Sequence, residues 1–271
     1  MIQRIVTSIE WLVVFFFVLF YPFGLNLPAD NILFQIAVLL ISMIAVYEVH
    51  KAVTNNKPLK ILGILMCVLI NIAVIFNQLL LCLVFVFSVY LFTSVLMFGK
   101  EKITKVYMLG FLTIIFSTFI ATIGRIKVEY SVAATFLPFL FAWITDSGAY
   151  FIGSAFGKHK LAPKLSPKKS IEGAVGGVIV CMLISALYVF ILNRYLNISI
   201  FGGNDYIKII IVSFVASIIS QFGDLACSAI KREYDIKDFG KIFVGHGGVL
   251  DRFDSVVFVS PFVYLLLMVL A

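Results

Sequence analysis

The chain has 271 residues, of which 62% are hydrophobic and 13% charged, with 28 phenylalanines and a net charge of +7. Soluble domains carry about 25% charged residues, so this composition excludes an ordinary water-soluble domain. Four cysteines, Cys67, Cys82, Cys181 and Cys227, lie in apolar runs without Cys-x-x-Cys spacing. They read as small buried thiols, and neither a disulfide framework nor a zinc site is expected.

Crossing a bilayer takes about 20 apolar residues in a helix. Runs that approach this length cover residues 9–27, 31–49, 59–76, 79–98, 106–123, 131–153, 172–193, 207–226 and 255–271. Lipid leaves backbone amides no partner outside the helix, so the expected fold is all-α, a polytopic integral membrane protein with about nine transmembrane helices. The first run is longer than a signal-peptide core and lacks a clear small-x-small cleavage site, so it reads as a retained anchor. Only Asn77 and Gln78 separate the third run from the fourth, which predicts a tight helical hairpin.

Lys and Arg favour cytoplasmic loops. With the N-terminus inside, only Arg125, Lys127, Arg194 and Lys208 of the 21 basic residues fall outside. Basic charge on that face suits anionic headgroups or phosphorylated substrates, not nucleic acid. The organisation expected is an N-terminal region, 1–130, of about five spans, and a C-terminal catalytic region, 131–271, with a cytoplasmic active site.

Residues 1–130 carry little chemistry. Glu48 and His50 end the second span, where interfacial charges are ordinary, although Glu48 could also support a site. Polar patches begin at Trp143. Asp146 lies inside an apolar run, where an acid is costly unless paired or metal-bound. Gly148, Gly153 and Gly157 thin one side of the same helix, which permits either close helix packing or a ligand. The basic loop that follows feeds a helix with Ser170 as N-cap and Glu172 in its first turn. Lys164, Lys168 and Lys169 beside that N-terminus suit an anion.

The second patch is a polar stripe. At 100° per residue, Gln221, Asp224, Ser228 and Lys231 share a face of an otherwise apolar helix. In the third, "FVGHGGVLDRFDS", glycines permit close backbone approach to an anion. If the last helix begins near Leu250, Asp251, Asp254 and Ser255 share a face; capping that helix would explain only one of the aspartates. Carboxylates that can bind Mg²⁺ with substrate phosphates, together with lysines and helix ends, suit phosphoryl or nucleotidyl transfer.

Ser228, Lys231, Arg232, Lys237, Asp238, Gly240, His246, Gly247, Gly248, Asp251, Arg252 and Asp254 resemble the signature of the phosphatidate cytidylyltransferase (CDP-diacylglycerol synthase) family. The segments around Asp146 and Lys168–Lys169 resemble two further motifs of that family, so the resemblance covers roughly residues 143–255. Val244 stands where the signature has Pro or Gly, and Ser147 and Ser170 replace threonines.

The resemblance implies transfer of the cytidylyl group of CTP to phosphatidic acid, giving CDP-diacylglycerol and pyrophosphate. It further implies Mg²⁺ dependence with Asp224 and Asp251 as metal ligands, and residence in the bacterial inner (cell) membrane. Lys231 joins the catalytic set with those two aspartates. Asp146, Lys168, Lys169, Ser228, Arg232, His246, Gly247, Gly248 and Arg252 are the expected substrate-binding residues. His246 is expected to shape the loop or touch phosphate rather than act as a base, because a phosphate monoester is largely dianionic near neutral pH, its second pKa being about 6.

Two alternatives stand beside this reading. A CTP-dependent lipid-alcohol kinase would need a base and would release CDP. A transporter would place polar groups through the full thickness of several helices, whereas here they crowd one side. A homodimer is compatible with the Gly-x-x-x-Gly-type spacings, which are too weak to define its face.

Overall fold

The computed structural model describes residues 28–242 and 247–271. Eight of its helices are long and apolar enough to cross a membrane. They are α1 (Pro28–Val53), α2 (Lys57–Ile75), α3 (Leu79–Leu96), α4 (Ile103–Glu129), α5 (Val132–Phe156), α6 (Ile171–Ile191), α7 (Asp205–Glu233) and α8 (Leu250–Leu270). Each matches one of the last eight apolar runs read from the sequence. The first run, 9–27, lies outside the described residues.

Local signals account for several helix ends. Pro58 sits in the first turn of α2, where its missing N–H costs nothing. The expected α2–α3 hairpin turns through Phe76, Asn77 and Gln78, with Asn77 in the left-handed region at φ 58°. Ser131 caps α5 by accepting from the Ala134 N–H at 3.0 Å. A π-helical turn, Leu192–Leu196, extends α6 and ends at Asn197, also left-handed.

The chain divides into two compact units. One comprises residues up to Arg125 together with Tyr234–Arg252; the other comprises Ile126–Glu233 and Phe253–Ala271.

In the first unit α2 packs on both α1 and α3. Several buried polar groups there pair with one another, as low-dielectric interiors favour. The Asn71 amide donates to Ser42 Oγ at 3.2 Å and to the Cys67 carbonyl at 2.9 Å. His50 Nε2 and the Tyr90 hydroxyl each meet Thr113 Oγ1 at 2.8 Å.

In the second unit the helices α5, α6 and α7 pack on one another. Their core joins Leu137 and Phe141, Cys181 and Val189, Ile209 and Val212, with Val259 and Val263 of α8. The glycines set the closeness of α5 and α6. A Cβ at Gly177 would lie 2.7 Å from the Thr145 carbonyl oxygen, and one at Gly148 only 3.2 Å from the Gly177 Cα. Small-residue packing thus accounts for Gly148. None of the four cysteines is in a disulfide.

Between α5 and α6 the basic loop forms an antiparallel hairpin of β1 (Lys160–Ala162) and β2 (Ser166–Ser170), pairing Lys160 with Ser170 and Ala162 with Ser166.

Candidate active site

Three helices and the hairpin of the second unit bring charged side chains together. Asp146 comes from the cleft-facing side of α5, Asp224 from α7 and Asp254 from α8. Lys169 Nζ, at the end of β2, pairs with Asp224 Oδ2 at 2.5 Å. Lys231 Nζ lies 3.9 Å from Asp254 Oδ2. Ser228 Oγ donates to Asp224 at 3.5 Å, and Ser255 Oγ to Asp146 at 3.3 Å. Asp146 and Asp254 each interact electrostatically with Asp224, and Asp254 with Asp146. Among these described residues, three carboxylates stand against two ammonium groups. Charges at membrane depth are costly without partners, and this excess of negative charge is suited to a cation.

A cleft of about 300 Å³ opens beside the cluster, lined among others by Asp146, Tyr150, Lys168, Lys169, Gln221 and Asp224. It lies at the small end of the range for ligand pockets. The stripe on α7 faces this region as its periodicity predicted, and the Gln221 amide donates to the Ala174 carbonyl of α6 at 3.2 Å.

The hairpin is held from both sides of its stem. Ser170 Oγ accepts from the Gly173 N–H at 3.2 Å, which makes it the N-cap of α6, as expected. Glu172, in the first turn, reaches back to the N–H groups of Lys158 and His159 and pairs with His159 Nδ1 at 2.6 Å. This carboxylate thus ties down the loop that carries Lys168 and Lys169.

The signature loop belongs to the first unit. Asp251 Oδ2 accepts from the N–H groups of Phe239 at 2.8 Å and Gly248 at 2.9 Å, so it closes the loop across its neck. Gly247 adopts φ 87°, a conformation open to glycine at little cost. A Cβ at Gly248 would run into the Glu48 carboxylate, and one at Gly240 would meet both Glu48 and the Gly248 backbone. The helix start is capped from afar: Glu48 Oε1 accepts from the Val249 N–H at 3.1 Å and Oε2 from Leu250 at 2.9 Å.

Of the residues expected from sequence, Asp146, Lys168, Lys169, Asp224, Ser228 and Lys231 gather around the cleft and cluster. Arg232 is exposed near the end of α7. Gly247, Gly248, Asp251 and Arg252 are part of the first unit, and His246 lies outside the described residues. Sequence reasoning left Asp254, Gln221 and Tyr150 without roles. Asp254 was legible as a face-mate of Asp251, and Tyr150 closes the Asp146–Tyr150 segment that resembles a family motif.

A profile of the cytidylyltransferase family matches residues 2–270. The chain is 41% identical over 139 residues to the phosphatidate cytidylyltransferase of Bacillus subtilis (strain 168), an alignment covering 51% of this chain and 49% of that protein. It is 44% identical over 129 residues to the phosphatidate cytidylyltransferase of Staphylococcus haemolyticus (strain JCSC1435), covering 48% and 46%. The same shares apply to a relative of that name from Staphylococcus saprophyticus, at 46% identity over 129 residues. The chain spans about half the length of the curated relatives it matches. With the profile running along nearly its whole length, the chain belongs to the cytidylyltransferase family.

Proposed function

We propose that this membrane protein transfers the cytidylyl group of CTP to phosphatidic acid, forming CDP-diacylglycerol and pyrophosphate. The observation that carries the reading is the cluster of Asp146, Asp224 and Asp254 with Lys169 and Lys231 beside a cleft lined by basic hairpin residues. Family membership and the relatives named phosphatidate cytidylyltransferase support the same reaction.

The donor set fits Mg²⁺. Oxygen ligands suit this ion, which is usually held by one or two carboxylates plus phosphates and water rather than by an all-protein cage. Among the described residues no such cage is formed. Asp224, with Asp146 and Asp254 near it, would hold the ion; Asp251 is included on the family resemblance. When bound, Mg²⁺ would offset charge on the phosphate oxygens.

The chain's own groups then do what phosphoryl-type transfer asks for, positioning and charge stabilisation. Lys168 and Lys169 present ammonium groups to a triphosphate in the cleft. Lys231, held near Asp254, faces the lipid phosphate. That phosphate is already an anion capable of attacking the α-phosphorus of CTP, so no base is needed, and pyrophosphate leaves opposite the incoming oxygen. Acyl chains remain in lipid while the reacting groups meet at the rim. The basic residues of the hairpin support a cytoplasmic site in the inner membrane.

The test is product analysis with purified protein, phosphatidic acid, radiolabelled CTP and Mg²⁺. CDP-lipid and pyrophosphate should form together and vanish in EDTA. Release of CDP with a lipid alcohol as acceptor would replace the reading with a kinase.

A further inference from the structure

We infer that Glu48 is a positioning residue for this reaction, holding the signature loop from a helix about two hundred residues away in the chain. The inference rests on the proposed function, because the loop's own importance comes from Asp251 and Arg252.

Glu48 is 2% exposed, near the end of a membrane-spanning helix. A buried acid in such a place needs a reason. Its two oxygens are each used: Oε1 takes the Val249 N–H and Oε2 the Leu250 N–H. These amides stand at the start of α8, where the first N–H groups have no partner within the helix and a negative charge is favoured by the helix dipole. Neither Asp251 nor Asp254 caps this end. Asp251 Oδ2 is engaged by Phe239 and Gly248 instead.

Two carboxylates therefore clasp the loop at different levels. Asp251 ties Phe239 to Gly248, and Glu48 sits where the Gly240 and Gly248 backbones approach each other, leaving no room for a Cβ at either. Glycine at 248 is needed because of Glu48, since its φ is not in the left-handed region. A side chain that sets the backbone of a ligand-bearing loop acts through that loop, and loss of such supporting contacts commonly costs about 10–100-fold in activity or metal affinity.

The experiment uses full-length protein in detergent, with wild type shown first to make CDP-lipid. Glu48→Gln keeps the shape but turns an NH₂ toward one of the two amides. It should lower kcat about 10–100-fold with the KM for phosphatidic acid changed less than about threefold, and Glu48→Asp, which keeps the charge, should recover part of the loss. Gly248→Ala alone should lower kcat at least about tenfold, and far less in the Glu48→Asp background, because the shorter side chain vacates the space. Independently of activity, amide hydrogen exchange in the Gly247–Phe253 segment should quicken about tenfold or more in Glu48→Gln, while α5 and α6 stay protected. Unchanged exchange, wild-type kinetics in Glu48→Gln, or an equal Gly248→Ala penalty in both backgrounds would overturn the inference. Quickened exchange in a protein that makes no CDP-lipid would instead overturn the proposed reaction and leave the anchoring intact.

Discussion

Lys169 and Asp224 meet at 2.5 Å and fasten the basic hairpin to the polar face of α7. Lys169 also acts electrostatically on Asp146. One lysine thus serves two carboxylates and lines the cleft. Replacing it by Met should reduce cytidylyl transfer roughly 10²–10³-fold, the scale for loss of a preorganised donor to developing charge. Lys169→Arg, a poor geometric substitute, should fall between. Steady-state rates on the three proteins decide this; a Met variant within threefold of wild type would remove Lys169 from the site.

Asp254 was the acid left without a role by sequence reasoning, yet it shares its surroundings with Asp146, Asp224 and Lys231. Asp254→Asn should raise the Mg²⁺ concentration for half-maximal activity about 10–100-fold. A titration of rate against free Mg²⁺ that superimposes on wild type would place Asp254 outside the cation's reach.

Glu172 anchors the hairpin through two backbone amides and His159. Glu172→Ala should free residues 158–170, so that limited proteolysis cuts there at least about tenfold faster. The KM for CTP should rise more than kcat falls, since Lys168 and Lys169 would be held less firmly. Resistance to protease equal to wild type would contradict this.

The α5–α6 contact has no slack at Gly177, where a Cβ would stand 2.7 Å from the Thr145 carbonyl oxygen. Gly177→Ala should destabilise the protein by about 1–3 kcal/mol, the usual cost of overpacking. Thermal unfolding in detergent measures it, with Gly99→Ala a poor control because of its positive φ and an exposed Val175→Ala a better one.

Much of the fold was legible because lipid makes the backbone's demands local. An apolar run of spanning length must become a helix to pair its own amides, and the last eight runs did. Equally local were the Asn77 turn, Ser170 as the cap of α6 and the polar stripe from Gln221 to Lys231, since each depends on neighbours within a few residues. The hairpin at Lys160–Ser170 was read only as a basic loop; its strands are too short to show an alternating pattern.

Sequence by itself thus determined the membrane-spanning helices and the chemical character of the residues at their ends. Tertiary structure decided which charges meet. No helical period connects Lys169 to Asp224 or Lys231 to Asp254, and none could show that the start of α8 is capped by Glu48 rather than by its own aspartates. Such pairings form because a charge buried at a helix end must find a partner, and which one it finds depends on how distant segments pack, not on their order in the chain.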